Sequence, residues 1–246
     1  MITPIPASVF LTAEWQHLVM LNYEIEPEIL KPRIPVGTEL DFWNGKTFVS
    51  VVGFYFQNTR IRGIPIPFHR NFEEVNLRFY VRRKTADGWR RGVVFIKELV
   101  PRLAIAWTAQ TFYNEPYLAL PMSHRIEKSS SQPFEIKSAT YFWRFKGNDN
   151  SVKLNTHGNL RPLVENSEAE FITEHYWGYT SQRDGSTLEY QVEHPRWRIW
   201  EAQSVELHCD IAELYGEQFV SALNITPVSA FLAEGSAVKV YKGVRL

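Results

Sequence analysis

NLRFYVRRKTADGWRRGVVFIK, residues 76–97, is the stretch on which the fold turns. An Asp-Gly pair between two segments of mixed apolar and polar residues is the strongest short-range hairpin signal. A two-residue loop at Asp87-Gly88 sets Arg78 opposite Lys97, Phe79 opposite Ile96 and Tyr80 opposite Phe95. One face of this hairpin carries Leu77, Phe79, Val81, Val94 and Ile96, which is a core face. The other carries Asn76, Arg78, Tyr80, Phe95 and Lys97. Like charges directly opposite are unfavourable unless something anionic lies between them. This second face is either the lumen of a closed sheet or an outer face where the cations splay into water. In a lumen, a guanidinium beside the Lys97 amine is one way to make a nucleophile.

The pattern repeats along the chain. Strands are expected over 46–58, 75–83, 92–100, 104–113, 139–145, 152–154, 171–181, 187–197 and 237–241. Helix signals are few. Residues 13–22 put Trp15, Leu18, Val19 and Asn22 on one helical stripe. A turn begins at Pro27, Ser167-x-x-Glu170 reads as a capping box, and residues 210–223 form the best helix, capped by Asp210 and weakened at Gly216. Many strands with short polar turns predict a mainly β chain, a single antiparallel barrel around a central cavity with a few outer helices. The only linker-like stretch, KSSSQP at 128–133, is short, so one domain over 1–246 is expected.

A second Asp-Gly, Asp184-Gly185, would place Tyr179 opposite Tyr190, Trp177 opposite Val192 and His175 opposite His194. Two His residues on neighbouring strands can start a zinc site, but no third ligand is signalled. An aromatic ladder ending in two hydrogen-bonded His residues is the simpler reading, and no metal or cofactor is expected.

Composition narrows the function. Among 246 residues, Lys plus Arg number 27 and Asp plus Glu 27, so the net charge is zero and no field favours nucleic acid or anionic lipid. The aromatic share is 14%, with eight Trp, which suits wide strand faces. One cysteine, Cys209, excludes an internal disulfide. No apolar run approaches the ~20 residues that span a bilayer. The first residues lack a signal-peptide pattern, and a cytoplasmic protein with no nucleic-acid or membrane partner is expected. Gly-rich phosphate loops and G-x-S-x-G elbows are absent from the sequence.

Two stretches are denser in polar groups than a core needs. In 59–74, Arg60, His69 and Glu73 can converge at a pocket mouth; an ordinary crossing loop is the other reading. Residues 113–117, Tyr-Asn-Glu-Pro-Tyr, place an acid where a smooth apolar strand ends. The candidate catalytic residues are Lys97 as nucleophile and Glu115 as general acid or base. The candidate ligand-binding residues are Arg60, His69, Glu73, Arg78, Glu98, Tyr113, Asn114 and Tyr117, with Arg60 or Arg78 as carboxylate clamp.

Several of these stretches carry a resemblance. IPVGTELDFWNGKTFVSVVGF, TRIRGIPIPFHRNFEEVNLRFYVRR, RRGVVFIKELVPRLAIA, YNEPYLALPM, FITEHYWGYT and YQVEHPRW are similar to the uncharacterised YqjF-like, or DUF2071, proteins. More faintly, LVMLNYEIEPEILKPRIPVGTELD and TPVSAFLAEGSAVKVY resemble the two ends of acetoacetate decarboxylase. The resemblance implies a cone-like antiparallel barrel around a cavity, and a homo-oligomer. That enzyme's Schiff-base lysine sits in a Tyr-Pro-Lys-Lys motif. Here the nearest stretch is Glu115-Pro116-Tyr117-Leu118, with Tyr117 and Leu118 where the lysines would fall. The expected function is therefore binding of a small carboxylate or carbonyl-type molecule without Schiff-base decarboxylation. The alternatives are a lyase- or hydrolase-like enzyme using Lys97 and Glu115, and a structural protein with a filled barrel.

Overall fold

A computed structural model describes residues 8–103, 114–129 and 135–246. The strand expected over 104–113 lies outside these residues. The first half is built from β1 (Val9–Ile25), α1 (Pro27–Leu30), β2 (Glu39–Leu40), β3 (Thr47–Ile61), β4 (Ile64–Pro65), β5 (Phe72–Thr85), β6 (Gly88–Val100) and β7 (Tyr117–Ala119). The second half continues with β8 (Met122–Lys128), β9 (Ile136–Phe145), β10 (Asn148–Pro162), α2 (Glu168–Thr173), β11 (Trp177–Ser181), β12 (Thr187–Glu193) and β13 (Arg198–His208). It ends with α3 (Ile211–Tyr215), α4 (Val220–Leu223), β14 (Ser229–Tyr241) and β15 (Val244–Arg245).

Seven strands close a ring in the order β1, β3, β5, β6, β11, β12, β14 and back to β1. The ring closes where Val192 of β12 pairs Val240 of β14. It is not wholly antiparallel: β6 pairs β11 in parallel, and β7 also joins β6 in parallel. The remaining long strands extend the sheet from β14 through β13, β10 and β9 to β8, and this extension folds back over the ring.

Both faces of β1, β3 and β5 are therefore buried over most of their length. The outer faces of β1, β3 and β5 (Val19, Leu21, Val49, Val51, Leu77, Phe79) join one core with Tyr141, Trp143, Val152 and Leu154 of the extension and with Leu214 and Phe219 of the helical segment. The inner faces (Met20, Val52, Phe54, Phe56, Phe72, Tyr80) form a second core inside the ring. The two layers meet closely at Gly53, where a Cβ would lie 2.8 Å from the Tyr141 ring.

Residues 13–22 are strand, not helix. A β-bulge between Gln16 and Val19, with His17 at φ 54°, inserts an extra residue into β1. Ala13 and Trp15 before it and Leu18 and Met20 after it all face inward, while Val19 and Leu21 face outward. The phase jump produces a three- and four-residue spacing that imitates a helix stripe. The Tyr141 hydroxyl donates to the His17 carbonyl at 2.9 Å and satisfies the kinked backbone.

Other elements follow their local signals. Ser167 caps α2, its Oγ accepting from the Glu170 amide, so the expected strand over 171–181 begins only at Trp177. Asp210 caps α3 through the Glu213 amide, and the helix breaks at Gly216, φ 111°. No helix among the described residues is long and apolar enough to cross a membrane.

Candidate functional site

Strand β5 contributes Glu74, Asn76 and Arg78 at alternate positions, so all three enter the ring. Hydrophobic neighbours Val75 and Leu77 take the outer face. Across the ladder, Asn76 pairs Glu98 and Arg78 pairs Phe95. The two halves of this register differ by one residue, because a bulge leaves Ile96 as an extra residue on β6. Phe95 and Glu98, three apart, both line the interior, and Lys97 does not.

This corrects the hairpin register expected from residues 76–97. Thr85 pairs Gly88, so the loop is Ala86-Asp87, and Lys97 stands opposite Leu77 rather than Arg78. Strict alternation would have carried Lys97 inward and Glu98 outward; the bulge reverses them. The second Asp-Gly register also shifts. Trp177 pairs Gln191 and Gly178 pairs Tyr190, so His175 is not opposite His194. No cluster of three His, Cys, Asp or Glu suited to a metal occurs among the described residues.

The ring encloses a cavity of about 270 Å³. This lies near the lower edge of the ~300–1,000 Å³ range of small-molecule sites. One wall is aromatic. Phe56 stacks on Phe72 with centroids 4.4 Å apart, Trp15 meets Phe54 edge-on at 5.3 Å, and His194 stacks on Trp197 at 4.1 Å.

The other wall is an acid cluster. Glu74, Glu98 and Glu115 are all buried and all line the cavity. Glu115 Oε1 accepts from the Tyr190 hydroxyl at 2.6 Å and from Thr180 Oγ1 at 3.3 Å. Glu74 accepts from Asn76 Nδ2 at 2.9 Å and from the Tyr117 hydroxyl at 3.4 Å. Burial lifts Glu74 to about 8 and Glu115 to about 7, and it pushes Glu98 well above the usual carboxylate range. The neighbouring Glu115 and Glu74 charges push Glu98 further up. Arg78 is the only lysine or arginine on the described lining.

Behind the cavity, Asp41 accepts from Arg91 Nε at 2.6 Å and from His175 Nε2 at 3.2 Å. Burial opposes the Asp41 carboxylate, but the hydrogen bonds from His175 and Arg91 outweigh it and hold the group below its ordinary value. Burial drives His175 down to about 4. His175 is thus neutral, its Nε2 proton is committed to Asp41, and Nδ1 is a buried acceptor without a partner.

Of the candidate residues, Glu115, Glu98, Arg78, Tyr117 and His69 line the cavity. Lys97, Arg60, Glu73 and Asn114 do not. Arg60 is exposed beside Pro65. Glu73 points to the outer face and binds His124 Nδ1 at 2.7 Å. Asn114 ties to the Ser181 carbonyl at 2.8 Å and accepts from Arg183 Nε at 3.3 Å. Tyr113 lies outside the described residues. Sequence reasoning missed Glu74, Tyr190, His175 and the Trp15 wall. The readable signal for Glu74 was its two-residue spacing from Asn76 and Arg78 in an otherwise apolar strand.

Comparison with known proteins places this geometry. Residues 12–237 match the DUF2071 family, described as an uncharacterised conserved protein. The uncharacterised protein YqjF of Bacillus subtilis is 28% identical over 208 residues, covering 81% of this chain and 79% of that one. Acetoacetate decarboxylase from Legionella pneumophila superposes with a TM-score of 0.65 at 16% identity, covering 100% of this chain and 92% of that one. An acetoacetate decarboxylase-like enzyme from Sphingomonas wittichii gives 0.67 at 13% identity, covering 100% and 97%. The enduracididine biosynthesis enzyme MppR, in complex with a condensation product of pyruvate and imidazole 4-carboxaldehyde, gives 0.69 at 9% identity, covering 98% and 90%. At such identities the likeness is one of fold.

Proposed function

This chain belongs to the DUF2071 family of uncharacterised conserved proteins, and from that premise we propose that its ring cavity binds one small molecule with an apolar body and a carbonyl or carboxylate head. One observation carries the reading. Among the described residues, nine buried side-chain polar atoms have no hydrogen-bond partner, and six belong to residues lining this cavity: Trp15 Nε1, Thr59 Oγ1, Asn76 Oδ1, Arg78 Nε, Glu98 Oε2 and His175 Nδ1. Each such group costs about 1–3 kcal/mol when left unpaired. A fold concentrates that cost in one place where a ligand repays it.

The chemistry of the lining selects the ligand. Aromatic rings cover an apolar or aromatic body. Arg78 and protonated carboxyls donate to a carbonyl or carboxylate oxygen, and Asn76 and His175 accept from a hydroxyl or N–H. A ligand with a full positive charge would suit three ionised carboxylates, but burial keeps that cluster partly protonated near neutrality. No lysine stands on the described lining, so imine chemistry of the decarboxylase type has no amine there. Pyruvate and its condensation product, named in complexes of MppR, are of the same carbonyl class.

The test is a melting-temperature panel of aryl and alkyl ketones, 2-oxo acids and carboxylic acids, with matched hydrocarbons as controls. Ketones or acids raising Tm in a saturable way, with the rise lost in Arg78→Met, are the expected result. A panel without any shift overturns the reading. Borohydride with a bound keto compound should give no adduct.

A further inference from the structure

We infer that this cavity is an acid–base site that moves a proton at the carbon next to a carbonyl, with Glu115 as the base and Glu98 as the acid facing the carbonyl oxygen. The inference rests on the ligand class proposed above and adds a reaction to it.

The geometry separates the two carboxyls. Among the described residues, Tyr190 and Thr180 both donate to Glu115 Oε1, and Oε2 takes no part in either bond. Two donors on one oxygen favour the ionised group and orient the other oxygen as a base. Glu98 comes from the adjacent strand β6, its backbone N–H donating to the Pro116 carbonyl at 3.1 Å. Its Oε2 is buried without a partner. Tyr117, one residue beyond Pro116, sends its hydroxyl to Glu74 at 3.4 Å. A carbonyl oxygen seated at Glu98 Oε2 would therefore meet the Glu98 carboxyl proton in a water-poor pocket, the setting in which developing oxyanion charge is stabilised most.

Environment assigns the roles in the same direction. Glu115 sits near neutrality while Glu98, facing the Glu74 and Glu115 carboxyls, is kept protonated far above it. Two carboxyls whose surroundings push them apart divide into base and acid. The charged and titratable groups facing this pair are Glu74 and Arg78 from β5, Tyr117 at β7, Tyr190 from β12 and His175 after α2.

The step balances without a further reactant. The Glu115 carboxylate takes the proton as the Cα–H bond breaks. That electron pair forms the C=C bond, and the carbonyl pair moves to oxygen, which receives the Glu98 proton. Return of a proton to the same carbon gives exchange with solvent. Return to a conjugated γ-carbon gives a shifted double bond and leaves both carboxyls as they began.

The probe is phenylacetone in deuterated buffer, whose benzylic protons are acidic and whose ring fits the aromatic wall. Deuterium uptake is followed by NMR, and binding by the Tm shift, both on the full chain. The expected result is uptake at least ~100-fold above buffer, the low end for a positioned acid or base. Glu115→Gln should lose that factor while keeping the Tm shift. Tyr190→Phe, which removes a donor to the base, should move the midpoint of the pH–rate profile upward and remains informative if Glu115→Gln fails to fold. Phenylacetone that binds without uptake above buffer overturns the inference and leaves the binding site standing. Full uptake in Glu115→Gln also overturns it. Tm shifts with panel acids but with no ketone overturn the inference and leave the binding reading standing, and a panel without any shift removes both.

Discussion

The Tyr190 hydroxyl donates to Glu115 Oε1 at 2.6 Å, from β12 to the segment entering β7, 75 residues apart in sequence. The bond exists because Gly178, the cross-strand partner of Tyr190, has no side chain. A Cβ at Gly178 would lie 2.1 Å from the Tyr190 ring. An apolar neighbour would swing the phenol away from the acid.

Gly178→Val should therefore act on the site through Tyr190. Overpacking of this kind costs about 1–3 kcal/mol. The expected outcome is a lower urea midpoint with an unchanged slope, and loss of the ligand-induced Tm shift. A variant that binds normally would show that Tyr190 is not needed to hold Glu115.

The carboxyl cluster gives stability a pH dependence of definite sign. Glu74, Glu98 and Glu115 have folded values raised above their unfolded ones. The folded state then binds more protons than the unfolded one from about pH 4.5 upward, and stability falls as pH rises toward 8. His17, His175 and His194 act oppositely: burial lowers each to about 4, so stability falls as pH drops from 6.5 toward 4. Tm against pH should peak between these limbs. Glu98→Gln should flatten the alkaline limb and leave the acid limb in place, as thermal melts from pH 4.5 to 8.5 would show.

Asp41 joins Arg91 and His175 at the back of the cavity, with Arg91 about a third exposed. Asp41→Asn leaves a guanidinium without its anion and frees the His175 tautomer. Removing one partner from a fully buried pair costs about 3–5 kcal/mol, and exposure of Arg91 brings this to roughly 1–3. The loss should appear in urea melts at pH 7 and shrink below the folded value of Asp41, where the wild-type carboxyl is itself neutral.

Gly53 faces Tyr141 and Val152 across the two layers, where a Cβ would lie 2.8 and 3.1 Å from them. Tyr141 also closes the His17 bulge. Gly53→Ala should destabilise by about 1–3 kcal/mol and Gly53→Val by more, measured by chemical denaturation. The cavity side of β3 is on the opposite face, so ligand affinity should change little in the Ala variant.

Where local chemistry dominated, the structure was readable from residues alone. The caps at Ser167 and Asp210, the break at Gly216 and the β-rich class follow from short-range signals, and these elements stand where such signals put them. The family relation was likewise carried by motifs spread over most of the chain. Some candidates read from the sequence also line the cavity: Arg78, picked out on the charged hairpin face, Glu115 and Tyr117, picked out where an apolar strand ends, and Glu98 beside them.

What the linear pattern could not carry was phase. A strand alternates with period two until a bulge adds a residue, and then every later side chain changes face. At His17 that shift turned a strand into an apparent helix; at Ile96 it exchanged Lys97 for Glu98 inside the cavity. A bulge is set by how strands pack in three dimensions, even within one hairpin as at Ile96, and Tyr141 closes the His17 bulge over 124 residues of separation. The amino-acid pattern settles that this chain is a sheet with aromatic faces and no internal disulfide. Only long-range packing decides that three buried glutamates, rather than a lysine, confront whatever enters the ring.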